Sequence, residues 1–248
     1  MSYIKFDINL FNEIKKINYR RLGTMFCTLI SNNNTVIAGS DDNKGLLYSE
    51  DNGKTWNQSN IDTGDFYCLT VMDNTVIAGS HSRKGLFYSE DNGKTWYKSD
   101  IMSGDFSCLT VIDNIVIAGS YSNKGLFYSE DKGKTWKDSN INIGYFRCLT
   151  VIGSIVIAGS LSGKGLLYSE DKGKTWNQSN IDTDDFSSLT VIDNIVIAGS
   201  NYVNGLYYSE DNGKTWKQSN VTIGDFWCLT VIDDTVIAGS NFNKGLYY

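Results

Sequence analysis

Short runs rich in Val, Ile, Thr, Tyr, Phe and Trp recur along this chain every 40 residues, separated by Gly, Asn, Asp and Ser. In the second unit the runs fall at 66–72, 75–79, 86–89 and 94–99, and each predicts a short β-strand. Asp73-Asn74 between the first two runs predicts a tight hairpin. Asn92-Gly93 predicts a second turn before the last run. No unit carries the i, i+3, i+4, i+7 apolar spacing of an amphipathic helix, which excludes helical repeats of similar period.

The copies are nearly identical. Val-Ile-Ala-Gly-Ser begins at Val36, Val76, Val116, Val156, Val196 and Val236, and Gly-Leu-x-Tyr begins at Gly45, Gly85, Gly125, Gly165, Gly205 and Gly245. A four-stranded unit repeated six times predicts an all-β, six-bladed β-propeller of antiparallel blades, because radial closure protects the sheet edges. The whole chain, 1–248, then reads as one domain, with an N-terminal closing segment at 1–21 and six repeats from about residue 22, the last incomplete. That last unit lacks a fourth strand. In repeat register residues 14–19 supply it; the alternating stretch Ile4, Phe6, Ile8, Leu10 is the other candidate to pair with 245–248. Leu10, Phe11, Ile14 and Ile17 also fit one face of a short helix.

Between the third and fourth runs lies Ser-x-Asp-x-Gly-x-Thr-Trp: Ser49, Asp51, Gly53, Thr55, Trp56, and four further copies ending at Ser209, Asp211, Gly213, Thr215, Trp216. This string resembles the Asp box, or BNR repeat, and the resemblance extends over nearly all of residues 26–248. Turn chemistry makes Asp51, Asp91, Asp131, Asp171 and Asp211 clasps of the fold, with the Asp accepting N–H groups of its own turn. Trp56, Trp96, Trp136, Trp176 and Trp216 are apolar plates pinning each hairpin to the core. Propellers of this kind include sialidases and other glycoside hydrolases, lectin-like binders, sorting receptors and assembly factors, so fold alone does not select a function.

Sialidase chemistry in that family implies three converging arginines and an Arg-Ile-Pro motif. This chain has only Arg20, Arg21, Arg83 and Arg147, and no proline. One histidine, His81, excludes His-rich metal sites and most His-based triads. No Gly-rich phosphate loop occurs, and no cofactor or metal is expected. The hydrolase alternative rests on Asp65, Asp105, Asp185 and Asp225, which precede the first-strand Phe in four units and offer carboxylates for acid/base work on a glycoside. Their turn-capping role is the competing reading.

Differences among the copies concentrate at two places. One is the loop after the second run, carrying His81, Arg83, Tyr121, Tyr202 and Phe242. The other is the residue after the first-strand Phe: Cys27, Tyr67, Ser107, Arg147, Ser187 and Trp227. Aromatic and Arg residues anchor binding surfaces. Tyr67, His81, Arg83, Tyr121, Arg147, Tyr202, Trp227 and Phe242 are therefore the expected contacts of a non-catalytic, lectin-like or protein-binding face, whose ligand is a glycan or a protein. Lys44, Lys84, Lys124, Lys164 and Lys244, in the same loops, would attract an anion.

A net charge of −6 argues against nucleic acid. No apolar run reaches membrane-span length, and no signal-peptide pattern opens the chain. Cys68, Cys108, Cys148 and Cys228 hold one repeat position, Ser188 replaces the fifth, and Cys27 falls one residue out of register. Equivalent positions fan out around an axis, too far apart for disulfides, so the thiols are expected reduced. These features predict a cytoplasmic monomer.

Overall fold

The structure, a computed structural model, describes residues 26–201, 204–240 and 245–248, and of Phe26 the backbone alone. Every regular element in it is a β-strand, and the strands form six antiparallel sheets, the blades of a propeller. Five blades have four strands in sequential order; blade six has three, Phe226–Ile232, Thr235–Ser240 and Gly245–Tyr247. The N-terminal closing segment expected at 1–21 lies outside the described residues, as do Tyr202 and Phe242.

Blade two shows how the sequence makes a blade. Its first strand, Phe66–Met72, turns at Asp73, whose φ is +54°, and pairs back along Thr75–Ser80, with Leu69 opposite Ala78 and Val71 opposite Val76. The third strand, Leu86–Ser89, pairs with the second through Val76–Ser89 and Gly79–Leu86. The fourth strand is shorter than the sequence predicts: Tyr97–Lys98 instead of 94–99. The reason is local. Thr95 gives its N–H to Asp91 and Trp96 gives its N–H to the Asn60 side chain of blade one, so neither is free for the ladder.

The core lies between blades. Ile77 and Leu86 of blade two pack with Phe106, Val116, Ala118, Phe127 and Trp136 of blade three, and the same seven positions meet at the blade one–two, three–four and four–five seams. Gly79 keeps this seam tight: a Cβ there would sit 2.4 Å from Cys68 Sγ and 2.9 Å from Phe106 Cβ. Any side chain would push the next blade away.

In every blade the first and second strands slip register at one residue. Phe66 faces Ser80 and Cys68 faces Gly79, leaving Tyr67 as an extra residue; the slip recurs at Cys27, Ser107, Arg147, Ser187 and Trp227. A bulge of this kind re-aims one side chain while the strand continues.

All five cysteines are free. Cys68, Cys108 and Cys148 are buried, and each gives its S–H to the backbone carbonyl of the first-strand Phe in the next blade, 3.3–3.6 Å away. Burial pushes their thiols up, that of Cys148 to about 12, so they are unreactive packing groups. Cys27, although displaced by one residue, reaches the corresponding carbonyl of Phe66 at 3.0 Å.

Candidate functional site

The Asp boxes sit at the turns leading into the fourth strands. In the first, Ser49 Oγ donates to Asp51 Oδ1 at 2.8 Å and accepts the Gly53 N–H at 2.8 Å. Thr55 gives its N–H to Asp51 Oδ1 at 2.8 Å and its hydroxyl to Oδ2 at 2.7 Å. Trp56 Nε1 donates to the Gly53 carbonyl at 3.1 Å. The Thr55 hydroxyl and N–H hold the Asp51 carboxyl down at about 2. In Asp91, Asp131, Asp171 and Asp211 partial burial opposes the same bonds, and the net shift is still downward. The Ser, Asp and Thr side chains of the box bond within it, as a structural clasp requires.

The bulge residues do the opposite: they gather. Cys27, Tyr67, Ser107, Arg147, Ser187 and Trp227, one from each blade, line a single pocket of about 440 Å³. Asp41, His81 and Tyr121 complete the lining. These three hold the first position after the second strand in blades one to three. Their loops are fixed by backbone bonds: His81 N–H to the Asp65 carbonyl and Tyr121 N–H to that of Asp105, both 2.8 Å.

The rings form a staircase that runs from the pocket outward to Tyr145, which lies outside its lining. Tyr67 and His81 stack at 4.2 Å with planes 8° apart, His81 meets Tyr121 at 5.2 Å, and Tyr121 meets Tyr145 edge-on at 6.1 Å. The Tyr67 hydroxyl donates to Asp41 Oδ1, and this bond is the main cause that holds its pKa above the usual phenol range. Arg147 lies over the Trp227 ring at 4.6 Å, a cation–π contact spanning two blades. Trp227 Nε1 donates to Asp225 at 2.7 Å. The Ser187 hydroxyl is buried in the lining without a hydrogen-bond partner.

Five of the eight residues expected to bind ligand, Tyr67, His81, Tyr121, Arg147 and Trp227, thus share one pocket. Arg83 does not line it: its backbone φ is +59° and its N–H is bound to Asp105 Oδ1 at 2.7 Å. The sequence singled out neither Asp41 nor Ser187 as a contact. The repeat alignment held the signal, since both occupy the variable columns.

The four alternative acid/base candidates do not line the pocket either. Asp65 Oδ1 accepts the Asn43 N–H at 2.8 Å, Asp105 that of Arg83, Asp185 that of Gly163 at 2.8 Å, and Asp225 binds Trp227. Two of the loop lysines are held elsewhere. Lys84 Nζ binds the Thr63 carbonyl at 2.8 Å and Lys124 Nζ that of Ser103 at 3.0 Å, outside the pocket. Among the described residues no group of acidic, His and Cys side chains is arranged to hold a metal.

No curated protein sequence matches this chain. Solved structures do. The computationally designed Ika8 protein superposes with a TM-score of 0.68 at 15% identity, over 88% of this chain and 68% of its own. YCF48, solved bound to D1 peptide, gives 0.63 at 18% identity over 87% and 75%. An ancestral GH74 enzyme gives 0.71 at 15% identity over 90% of this chain but only 36% of the enzyme. At these identities the likeness is one of fold. The BNR/Asp-box repeat model matches residues 47–58, 87–98 and 207–218, each the end of a third strand, its box turn and a fourth strand. With five such boxes at one place in successive blades, the chain is an Asp-box repeat propeller.

Proposed function

We propose that this protein is a non-catalytic binding propeller that holds one ligand per chain at its axial pocket. One observation carries the reading. Every residue that lines the pocket comes from one of two columns in which the repeats differ, the bulge position and the first position after the second strand, while Val-Ile-Ala-Gly-Ser stays constant in all six blades. A wall of stacked Tyr and His rings, an Arg–Trp pair, an Asp and two Ser hydroxyls suits a ligand with both apolar faces and hydrogen-bonding edges, the chemistry of a sugar or an extended peptide. The Asp65-type carboxylates, engaged with loop N–H groups, weigh against hydrolysis.

The test is a glycan array and a peptide array probed with the protein and with a Tyr67→Ala, Trp227→Ala double variant. Binding on either array with one site per chain, lost in the variant, is the expected result. Five or six equivalent sites per chain, or binding that survives the variant, would remove the axial pocket from the account. Turnover of fluorogenic glycosides abolished by Asp65→Asn would replace binding by hydrolysis.

A further inference from the structure

A second cavity, of about 340 Å³, adjoins the axial pocket and shares Tyr67, Ser107, Arg147 and Trp227 with it as wall residues. What differs is the next tier. Leu69, Leu109, Leu149, Leu189 and Leu229 line the second cavity and not the first. Each stands two residues after the bulge residue of its blade, on a first strand that starts at the pocket and runs away from it. At the rise of a β-strand the leucines therefore lie about 7 Å deeper than the bulge residues. All five are half-buried and leave apolar surface in the cavity wall. Leu69, Leu109, Leu149 and Leu189 also pack against the clusters between blades, which fixes this collar in place.

Arg147 stands where the two tiers meet, and among the described residues it is the one lysine or arginine in either lining. Its neighbours in the bulge column, Ser107 of blade three and Ser187 of blade five, are small. The guanidinium passes blade five and lies over the Trp227 ring of blade six at 4.6 Å. No hydrogen bond or ion pair engages the Arg147 side chain among the described residues. Other cations are engaged. Lys94, Lys134, Lys174 and Lys214 each hold a glutamate at 2.6–2.7 Å, and Lys84 and Lys124 bind loop carbonyls. Asp41, the one carboxylate of the pocket lining, accepts the Tyr67 hydroxyl, and Asp225 accepts the Trp227 indole N–H at 2.7 Å. The contact with Trp227 steadies the guanidinium and consumes none of its N–H donors. A planar cation held in this way matches a carboxylate, which it takes through two parallel N–H···O bonds.

We propose that the axial site takes an aliphatic carboxylate, with the carboxyl group on Arg147 and the hydrocarbon joined to it seated among the leucines. The inference rests on the binding reading above and names the chemistry of the ligand's buried end. The rings of Tyr67 and His81 meet the part of the ligand that projects toward the mouth. Burial of the hydrocarbon supplies affinity, and Arg147 discriminates against the uncharged analogue. An acidic sugar brings the carboxylate without hydrocarbon and leaves the collar unfilled. Two sources carry the required group: a free alkanoate and the terminus of a peptide ending in an apolar residue.

The experiment is calorimetric titration of the full chain with octanoate, butyrate, octanamide and glucuronate, and with acetyl-Ala-Leu as free acid and as amide. One acid per chain is expected. Octanoate should bind at least about tenfold more tightly than butyrate, and each acid at least about tenfold more tightly than its amide. Glucuronate should not compete. Arg147→Gln should erase the preference for acid over amide while leaving octanamide binding unchanged, and Arg147→Lys should keep part of that preference. Binding of acetyl-Ala-Leu assigns a peptide terminus as the source; octanoate binding without it assigns a free alkanoate. If neither acid binds saturably, if acid and amide bind alike, or if the preference survives Arg147→Gln, the proposal is overturned. Array binding that the Tyr67→Ala, Trp227→Ala variant loses would then leave the axial pocket standing as a site for a ligand of other chemistry.

Discussion

The rim and the mouth of this propeller are built from the same 40-residue unit and treat their polar atoms in opposite ways. At the rim, Ser49, Asp51, Gly53, Thr55 and Trp56 satisfy one another within a single turn, and the next copies repeat the arrangement almost atom for atom. At the mouth, the bulge residue of each blade is excluded from the ladder and sent toward the axis, where six side chains of five kinds meet. The rim tolerates little change because its Ser, Asp and Thr side chains bond one another. The mouth tolerates change because a bulge residue carries no part of the strand register.

That contrast can be broken most forcefully at a box tryptophan. Trp136→Ala should cost about 3–5 kcal/mol and lower the thermal midpoint by roughly 10 °C, read by calorimetry. It removes a buried plate from the seam of blades two and three. Gly119→Ala is the next step down. Its Cβ would meet Cys108 Sγ at 2.4 Å and Phe146 Cβ at 2.9 Å, for an expected loss of about 1–3 kcal/mol from overpacking. A smaller effect follows acidification. The Asp51 carboxyl has a folded value near 2, below the ordinary Asp value of 3.8. A depressed folded value means that its contribution is complete above about pH 4 and is lost as the pH falls toward 2. Denaturant midpoints should decline across that window, and Asp51→Asn should flatten its share of the decline. Smallest of all, Tyr67→Ala with Trp227→Ala should change stability by about 1 kcal/mol or less, since both are surface-accessible side chains. The same variant should abolish ligand binding, and that split between stability and binding is the sharpest form of the comparison.

The hairpins, the four-strand unit, the six-fold repeat and the clasp role of the boxes were legible in the 40-residue sequence, because each depends on neighbours within a few residues. Residues 94–99 were read too long as a strand because Thr95 and Trp96 are held by a carboxylate in the turn and by an amide one blade away. The expected contact Arg83 left the site because its backbone is tied to Asp105 across 22 positions. Asp41 and Ser187 entered it because their column faces the axis.

By itself, then, the sequence determined everything set by local chemistry: which residues extend, which turn, and which carboxylates close a turn on themselves. It also marked the variable columns. Only the tertiary structure decided that the bulge column and the first loop column converge on one pocket, and that the same seven positions meet at four seams between blades. Both depend on how a one-residue bulge and a repeated blade-to-blade packing accumulate around an axis, and distances across that axis join residues 40 to 200 positions apart.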